Sequence, residues 1–427
     1  MSRLPLGLCA WRVLTGMASP FARLLLRRRA TRDKEDWTRL NERLGMAGLA
    51  RPAGKLVWIH GASVGESLSA LPLIEKLLEH SSVLVTSGTV TSAAMMGQRL
   101  PPRNPDHVAL HQFVPLDFPG AVERFLDHWK PDAGLFIESD LWPNLILGAR
   151  ARGVKLALVN ARISARSAER WGWARRSMAR LLSSFDMVLA QDEDGAARFR
   201  DLGAHHVQVV GSLKADAPPL ACDEGALAEL KQQIGNRPVL LAAQTHPGED
   251  ETILPAHDLL RGRFPDLLTI LVPRHTARGA DLEMLCGSRA CKRRSTGGQV
   301  SGQTAVYIAD TMGELGLFYR LSRFCFLGGT LVPLGGHNVL EPAALHCAVL
   351  AGPNIASAAR AYQAVLSAQQ FGLVTSSTDI AREAGRLLEN PAMAMAAGDA
   401  AARGAATQSG AVARTVAALA VLLDARA

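Results

Sequence analysis

The sequence predicts an α/β protein built from two doubly wound parallel-sheet domains. Short apolar runs that end in small or charged residues alternate with amphipathic helical stretches along the chain. This alternation is typical of a parallel sheet with helices on both faces. It occurs twice, on either side of a polar, Pro-containing break at 215–224. A chain of 427 residues is also longer than one hydrophobic core usually supports, which favours two domains.

The apolar runs place the predicted strands. In the first half they are 56–59, 83–86, 134–137, 155–159, 187–190 and 207–210. In the second half they are 239–243, 267–272, 306–308, 324–327 and 348–351. We therefore expect domains at 36–216 and 217–427, with an Ala-rich helical tail at 392–427 in the second. Because ligands bind at the carboxyl ends of such strands, the expected site is a central cleft that the two domains face.

Residues 1–35 predict a membrane-associating segment. Its apolar run is interrupted by Arg12 and Arg23 and ends in "LLLRRR" at 24–29. Residues 1–51 hold eleven Lys and Arg against four Asp and Glu, nearly the whole net charge of +8. Such a segment fits either a helix that lies on an anionic cytoplasmic leaflet or a short helix that spans the membrane. The alternative is a helix packed on its own domain. The remaining chain is close to neutral, so we expect no nucleic-acid partner.

The six cysteines are scattered, with no CxxC pair and no HExxH motif. This spacing favours free thiols in a reducing compartment over disulfides or a zinc site.

Glu66 stands in the loop after the first predicted strand, in "IHGASVGES" at 59–67. Strand, Gly-rich turn and helix is the layout of a phosphate cradle. Here a carboxylate occupies the place where a cation would hold the phosphate. We therefore expect that this loop does not bind a phosphate, and Glu66 by itself also fits a helix-start acid.

Polar and charged residues follow most other predicted strands as well. They include Glu138 and Asp140, Arg162 and Arg166, Lys214, Arg274 and His275, Met312–Glu314, and the run "GGTLVPLGGHNVLEPAA" at 328–344 with Asn338 and Glu341. Each alone has a structural alternative: Glu341 as a helix-start acid, Arg274 as a surface charge, Lys214 as a solvated linker lysine, His337 as a turn histidine. Their gathering at strand ends favours a shared site.

These stretches resemble the Kdo transferases, which act on lipid A precursors with 3-deoxy-D-manno-octulosonic acid (Kdo). The matching stretches, in the family's order, are "SVGES" (63–67), "ESDLWPNLI" (138–146), "NARISARS" (160–167), "GSLKAD" (211–216), "LVPRH" (271–275), "DTMGEL" (310–315) and "GGTLVPLGGHNVLEPAA" (328–344). They span roughly residues 30–400 of the chain.

The resemblance implies a GT-B fold, two Rossmann-like domains facing a cleft, and an inverting transferase at the cytoplasmic face of the inner membrane. It implies CMP-Kdo as donor substrate, a lipid A precursor as acceptor, and no metal or other cofactor. Glu66 falls on the family's general base, and Glu138 and Lys214 fall on its transition-state stabilisers. The implied CMP contacts are Pro273, Arg274, Met312, Gly313, Glu314, Asn338, Val339, Leu340 and Glu341.

The chain departs from the family pattern at two positions. Asp140 stands where the family often has Glu, so its role stays open. Val339 replaces a Pro between two retained polar residues. Arg162, Arg166 and Arg170 recur at helical spacing, which predicts either a basic face for lipid phosphates or a solvated helix face.

Two other functions fit parts of the sequence. A GT-B transferase that uses a UDP-sugar would share the fold but not this set of motifs, and thermal shift with CMP, UDP and GDP separates the two. A membrane-bound, non-catalytic polyanion-binding protein would not need Glu66, Glu138, Lys214 and Glu341 together.

Overall fold

The computed structural model describes residues 4–101 and 106–424. The chain divides into two compact domains, the first made of Met1–Ala217 with Ser409–Ala427 and the second of Pro218–Gln408. Each domain is a parallel α/β sheet, as the sequence predicts.

The first domain contains a seven-stranded sheet within the described residues. Its strands are β1 (Leu56–His60), β2 (Ser82–Ser87), β3 (Ala109–Phe113), β4 (Ala133–Ile137), β5 (Lys155–Ala161), β6 (Met187–Ala190) and β7 (Val207–Val209). They lie in the order β3-β2-β1-β4-β5-β6-β7, and neighbouring strands run parallel.

The helices of this domain cover both faces of the sheet. They are α1 (Leu6–Ala18), α2 (Ala22–Ala30), α3 (Leu40–Arg43), α4 (Val64–Ser69), α5 (Leu71–Leu77), α6 (Val90–Arg99), α7 (Pro119–Trp129), α8 (Pro143–Ala151), α9 (Ala165–Gly172), α10 (Arg175–Leu182) and α11 (Glu193–Asp201). Strand β1 shows the two-sided burial, because Trp58 packs with Phe125 on one face while Ile59 packs with Leu73 on the other.

The second domain contains six parallel strands in the part of the chain that the structure describes. They are β8 (Val239–Thr245), β9 (Leu268–Pro273), β10 (Cys291–Arg293), β11 (Val306–Ile308), β12 (Phe324–Leu327) and β13 (Ala348–Ala351), in the order β10-β11-β9-β8-β12-β13. The helices are α12 (Glu224–Ile234), α13 (Asp250–Arg261), α14 (Gly279–Cys286), α15 (Leu315–Leu321), α16 (Leu340–Ala343), α17 (Ala359–Gln369), α18 (Ser377–Glu389) and α19 (Pro391–Ala406).

The sequence prediction missed two strands, β3 and β10. Both lie at a sheet edge, where a strand is covered less completely and needs fewer apolar residues. Accordingly, β3 reads Ala-Leu-His-Gln-Phe and β10 reads Cys-Lys-Arg.

The last helix, α20 (Ala411–Asp424), belongs to the first domain, whereas the sequence prediction placed the whole tail with the second. Asp216 accepts hydrogen bonds from the backbone N–H groups of Gly410 and Val412, both at 2.6 Å. Leu419 is buried among residues of β1, β2 and α5. The helix therefore returns to the first sheet because that sheet buries its apolar face and Asp216 satisfies its start.

The stretch Pro391–Leu423 is long and apolar enough to cross a membrane by length and composition. The structure divides it into α19 and α20, which are separated by residues 407–410. Ala394 and Ala397 of α19 lie in the core of the second domain, and Ala411 and Leu419 of α20 lie in the core of the first. Helices that bury one face in this way are typical of a globular core.

In each sheet the order in which the strands are added reverses at one point near the middle, the switch point. In the first domain this point lies between β1 and β4, and in the second it lies between β8 and β12. The loops after these strands diverge and leave a crevice at the carboxyl edge, where doubly wound folds bind their ligands.

Candidate functional site

Glu66 lies in the first turn of α4, just after β1. Its backbone N–H donates to Ser63 Oγ at 3.3 Å, and its Oε2 accepts from Ala62 N at 2.7 Å and Ser63 N at 3.4 Å. Its Oε1 accepts from Ser63 Oγ at 2.9 Å. This is a capping box, so the structural alternative for Glu66 is present in the molecule.

The capping box does not use up the carboxylate. A carboxylate offers about four acceptor positions, and these three contacts leave one on Oε1. Glu66 as a residue is partly exposed. The box fixes the side chain while leaving an oxygen that can take a proton.

Glu138 and Lys214 form an ion pair, with 2.8 Å between Glu138 Oε1 and Lys214 Nζ. Glu138 follows β4 with a φ of +63°, and Lys214 lies in the 3₁₀ turn Leu213–Asp216. Asn160, fully buried at the end of β5 with a φ of +54°, accepts the Leu213 N–H at 3.0 Å. The left-handed backbone conformation is energetically costly for a residue other than glycine. Residues that adopt it, as Glu138 and Asn160 do here, are frequent at functional sites. The structure thus brings together two of the three predicted catalytic side chains.

Asp140 has structural partners of its own. Its Oδ2 contacts Nε2 of the fully buried His60 at 3.1 Å and accepts the Trp142 indole N–H at 2.6 Å. The other His60 ring nitrogen contacts Thr86 Oγ1 at 3.0 Å. Burial opposes ionisation of Asp140, but the bonds to His60 and Trp142 outweigh it and hold the pKa of Asp140 below its ordinary value. Asp140 therefore ties the turn that carries Glu138 to β1 and β2.

A second carboxylate, Asp117, fixes the start of the helix that follows this turn. It accepts hydrogen bonds from the backbone of Asn144 at 3.2 Å and of Leu145 at 2.9 Å, the first turn of α8. It also accepts the Trp11 indole N–H of α1 at 2.7 Å. Burial raises the pKa of Asp117, against these hydrogen bonds. One buried side chain thus joins the N-terminal helix to the carboxyl edge of the sheet.

In the second domain, the fully buried Glu249 organises the loop after β12. Its carboxylate accepts backbone N–H groups from Gly329 at 2.8 Å, Thr330 at 3.0 Å and Leu331 at 3.0 Å. It also accepts the N–H of His246 at 3.0 Å, directly after β8. Four charge-assisted bonds from two loops compensate the buried charge and lock both loops at the crevice.

Two positions of this loop leave no room for any residue larger than glycine. A Cβ at Gly328 would lie 2.2 Å from the Gln244 carbonyl oxygen. At Gly336, which has a φ of +82°, it would lie 2.7 Å from the Tyr362 hydroxyl. That hydroxyl donates to the His337 carbonyl oxygen at 2.8 Å, so the loop is packed from both sides.

The predicted nucleotide contacts lie in the loops after β9, β11 and β12. Pro273 ends β9 and is buried, whereas Arg274 is exposed. Met312 is 75% exposed beside Gly313, which has a φ of +82°. Asn338 Nδ2 donates to Glu341 Oε1 at 3.1 Å. The next two residues, Val339 and Leu340, are buried and open the short helix α16.

Glu314 is held by a residue that the sequence prediction missed. Arg294 donates through Nε and Nη2 to its two carboxylate oxygens, at 2.7 Å and 2.5 Å, and Thr311 Oγ1 is also hydrogen-bonded to it. The bond from Arg294 is the main cause of the lowered pKa of Glu314. Arg294 follows the missed strand β10, and with that strand unrecognised no sequence signal placed it at the edge.

The basic residues of "NARISARS" do not form one helical row, because α9 begins at Ala165 and Arg162 precedes it. Arg166 and Arg170 are exposed and, among the described residues, neither forms a salt bridge. Trp173 nearby is 88% exposed. This part of the first domain is therefore both basic and apolar at its surface.

The structure gives no indication of a metal centre in residues 4–101 and 106–424, where no three His, Cys, Asp or Glu side chains are grouped to hold an ion. All six cysteines are free thiols, as the sequence predicts.

Comparison with known proteins gives the following similarities. The family model described as 3-Deoxy-D-manno-octulosonic-acid transferase (kdotransferase) matches residues 38–217. The 3-deoxy-D-manno-octulosonic acid transferase of Bordetella pertussis is 35% identical and covers 95% of this chain and 97% of its own. The probable mitochondrial 3-deoxy-D-manno-octulosonic acid transferase of Arabidopsis thaliana is 33% identical over 89% of this chain and 88% of its own.

Among solved structures, a putative UDP-N-acetylglucosamine 2-epimerase from Listeria monocytogenes is similar with a TM-score of 0.59. It is 14% identical and covers 88% of this chain and 98% of its own. This likeness concerns the fold alone, and it confirms the predicted GT-B type of two parallel-sheet domains.

Replacing Asp140 with Asn tests its positioning role. We expect a loss of about 1–3 kcal/mol in the free energy of unfolding at pH 7, because His60 and Trp142 lose a charged partner. Since the pKa of Asp140 is lowered in the folded state, its contribution is present above the unfolded pKa and is lost as pH falls through the folded value. The difference between wild type and variant should therefore shrink in acid.

Urea unfolding followed from about pH 7 to below pH 4 measures this difference. Glu75→Gln, at an exposed position of the same domain, is the matched control and should follow the wild type. Identical stability of Asp140→Asn and wild type at every pH would contradict the assignment.

Proposed function

The chain belongs to the Kdo transferase family, and from this premise we propose that it transfers Kdo from CMP-Kdo to a lipid A precursor in lipopolysaccharide synthesis. The observation that carries the proposal is the 35% identity to a Kdo transferase over 95% of the chain. It is supported by the position of Glu66 and Glu138, which follow β1 and β4 at the switch point of the first sheet.

The proposed reaction is a single displacement that inverts the anomeric carbon. A primary hydroxyl of the acceptor attacks this carbon, and Glu66 takes the hydroxyl proton as the new C–O bond forms. The bond between the anomeric carbon and the phosphate oxygen breaks, and CMP leaves with its electron pair. The acceptor position left on Glu66 Oε1 supports this role, since the proton needs a fixed, accessible oxygen.

Lys214 is proposed to stabilise negative charge at the reacting centre, and Glu138 to hold it there. Their 2.8 Å contact supports this pairing. Lys214 is 36% exposed as a side chain while it contacts Glu138. A fixed cation aimed at developing charge is among the larger catalytic contributions that a protein makes.

The second domain is proposed to bind the nucleotide. Arg274 is the candidate for the phosphate, and Met312–Glu314 and Asn338–Glu341 are the candidates for the remaining CMP contacts. All three lie in loops after strands of one parallel sheet, where α/β folds bind nucleotides. CMP already leaves as an anion, so the proposed reaction uses no metal and no further cofactor.

The N-terminal helices are proposed to hold the enzyme on an anionic membrane surface, at the cytoplasmic face of the inner membrane. Helix α1 docks on its own domain through Trp11 and Thr15. Its outward side is apolar, since Leu6, Val13, Leu14 and Met17 are 59–88% exposed. With 13 residues it is shorter than the roughly 20 residues that cross a bilayer, which favours a surface position.

Cations adjoin this apolar side. Arg23, Arg27 and Arg28 of α2 are exposed beside Leu24, which is 68% exposed. Apolar side chains next to exposed arginines match the interface of a membrane that contains anionic lipids. The same surface would meet a phosphorylated glycolipid acceptor.

Glu66→Gln separates the two roles of this residue. Glutamine retains the capping box but cannot accept the proton, so we expect kcat to fall by at least about 100-fold with little change in Tm or in CMP affinity. Glu66→Ala should lose activity equally and lose helix stability as well. Transfer is measured by mass spectrometry of the lipid product, and CMP binding by calorimetry.

Ser63→Ala is the matched control for the cap, because it costs about 1 kcal/mol of helix stability while keeping the carboxylate. It should retain far more activity than Glu66→Gln. Near-normal turnover by Glu66→Gln would show that Glu66 is only a helix cap.

Charge reversal on α2 tests the membrane proposal. Arg27→Glu with Arg28→Glu should weaken binding to vesicles of phosphatidylglycerol and phosphatidylethanolamine by at least about tenfold, since each basic residue near an anionic surface contributes about 1 kcal/mol. Cosedimentation with vesicles measures this. Lys231→Glu with Lys292→Glu, at exposed positions of the second domain, should bind like the wild type. Equal loss in both double variants would contradict a specific role of α2.

A further inference from the structure

Three histidines gather at the switch point of the second sheet. His246 directly follows β8, His275 is the second residue after β9, and His337 lies in the loop after β12. Strand β8 is the neighbour of both β9 and β12. The three side chains, which we term the imidazole cluster, thus come from adjacent loops at the edge where this fold binds ligands. The nucleotide contacts proposed above do not include them.

The cluster is closely packed. His246 Nε2 lies 2.8 Å from His337 Nε2, with ring centroids 5.0 Å apart and ring planes within 10°. The His275 ring lies 5.8 Å from that of His246, nearly perpendicular to it. His246 is fixed through its backbone N–H by Glu249, and His337 through its carbonyl oxygen by Tyr362. The side chains are therefore preorganised.

The charges around the cluster are mostly positive. Burial first, then neighbouring His246, Arg274 and His275, lowers the pKa of His337 to about 4. Burial is also the main cause of the lowered pKa of His246, with His275, Arg278 and Arg274 acting in the same direction and Glu249 against it.

The acids of the same loops have partners of their own. Glu249 accepts four backbone N–H groups, Asp250 pairs with Arg278 at 2.6 Å, and Glu251 accepts the Gly248 N–H at 2.6 Å. Glu341, four residues after His337, accepts from Asn338 Nδ2 at 3.1 Å. Arg274 and Arg278 add positive charge beside the imidazoles, which favours an anionic ligand.

The pairing of the two Nε2 atoms fixes what the cluster can donate. A neutral imidazole has one N–H, so in the neutral pair one ring donates through Nε2, and the other ring has its proton on Nδ1. The pair then presents one Nδ1–H donor and one Nδ1 acceptor. Neither Nδ1 atom is hydrogen-bonded to another residue in 4–101 or 106–424. One added proton converts the pair into two Nδ1–H donors with a positive charge.

We propose that His246 and His337, with His275 and Arg274 beside them, form a proton-linked binding site for an anionic oxygen group of the donor substrate. This rests on the proposed function, in which the donor carries two such groups on one carbon, the nucleotide phosphate and the sugar carboxylate. Binding of either group is accompanied by uptake of a proton by the His246–His337 pair. If the bound group is the sugar carboxylate, the pair also favours an acidic nucleotide sugar over a neutral one.

Calorimetric titration of the full chain with CMP tests the site. Performed at about pH 5.5 in two buffers of different ionisation enthalpy, it counts the protons taken up. On binding CMP, the wild type should take up as much as about one proton more than His337→Asn or His246→Asn does. The proton balance of CMP itself is common to all proteins and cancels. The variants should bind CMP about tenfold more weakly at this pH and differ less at pH 8.

Two further measurements show whether the phosphate or the carboxylate binds to the cluster. Cytidine, which lacks the phosphate, should bind alike to wild type and variants. If CMP also shows no difference, the KM for CMP-Kdo, generated in situ, is compared across the same pH range, and a rise in the variants only at low pH identifies the carboxylate as the ligand. His346→Asn, an exposed histidine of the same domain with a φ of +56° that Asn tolerates, is the matched control.

Wild-type proton uptake and wild-type KM in both folded variants would overturn the inference while the proposed function stands. Failure of the wild type to bind CMP would overturn the proposed function and the inference with it. Thermal unfolding verifies that each variant is folded. Because the two substitutions lie on different loops, the test can still be made if one variant fails to fold.

Discussion

Two buried carboxylates, Asp117 and Glu249, determine where the site loops of the two domains lie. A buried charge is stable only when it is fully hydrogen-bonded, and each of these side chains collects its donors from segments far apart in the sequence. Asp117 joins α1 to the start of α8. Glu249 joins the end of β8 to the loop after β12. The turn that carries Glu138 leads into α8, and the loop after β12 leads to Asn338 and Glu341, so these proposed site residues lie next to segments that the two anchors fix.

The capping contacts of Glu66 are compatible with the chemical role proposed for it. The capping box that satisfies the start of α4 also removes the rotational freedom of the carboxylate. Preorganisation of this kind lowers the cost of reaching the reactive geometry. Asp140 is the opposite case, since its contacts with His60 and Trp142 assign it to positioning, and the shorter side chain suits that role.

The sequence was sufficient to predict the fold, and it supplied most of the candidate site residues, whose roles stay predictions. Hydrophobic runs predict the central strands because those strands are buried on both faces, whereas the edge strands β3 and β10 are too polar to stand out. With β10 unrecognised, Arg294 and its contact with Glu314 could not be predicted. The return of α20 to the first domain depends on Asp216 and on a complementary apolar face, and neither is a local signal. The contacts that fix Glu66, Glu138 and His246 are likewise tertiary.

We propose that this chain is a CMP-Kdo-dependent transferase that acts on a lipid A precursor. The most direct measurement incubates the purified protein with CMP-Kdo generated in situ and a tetraacylated lipid A precursor, and follows the lipid by mass spectrometry. We expect the acceptor to gain the mass of one or more Kdo residues while CMP is released. An acceptor of unchanged mass, with a protein that is folded and binds CMP, would contradict it.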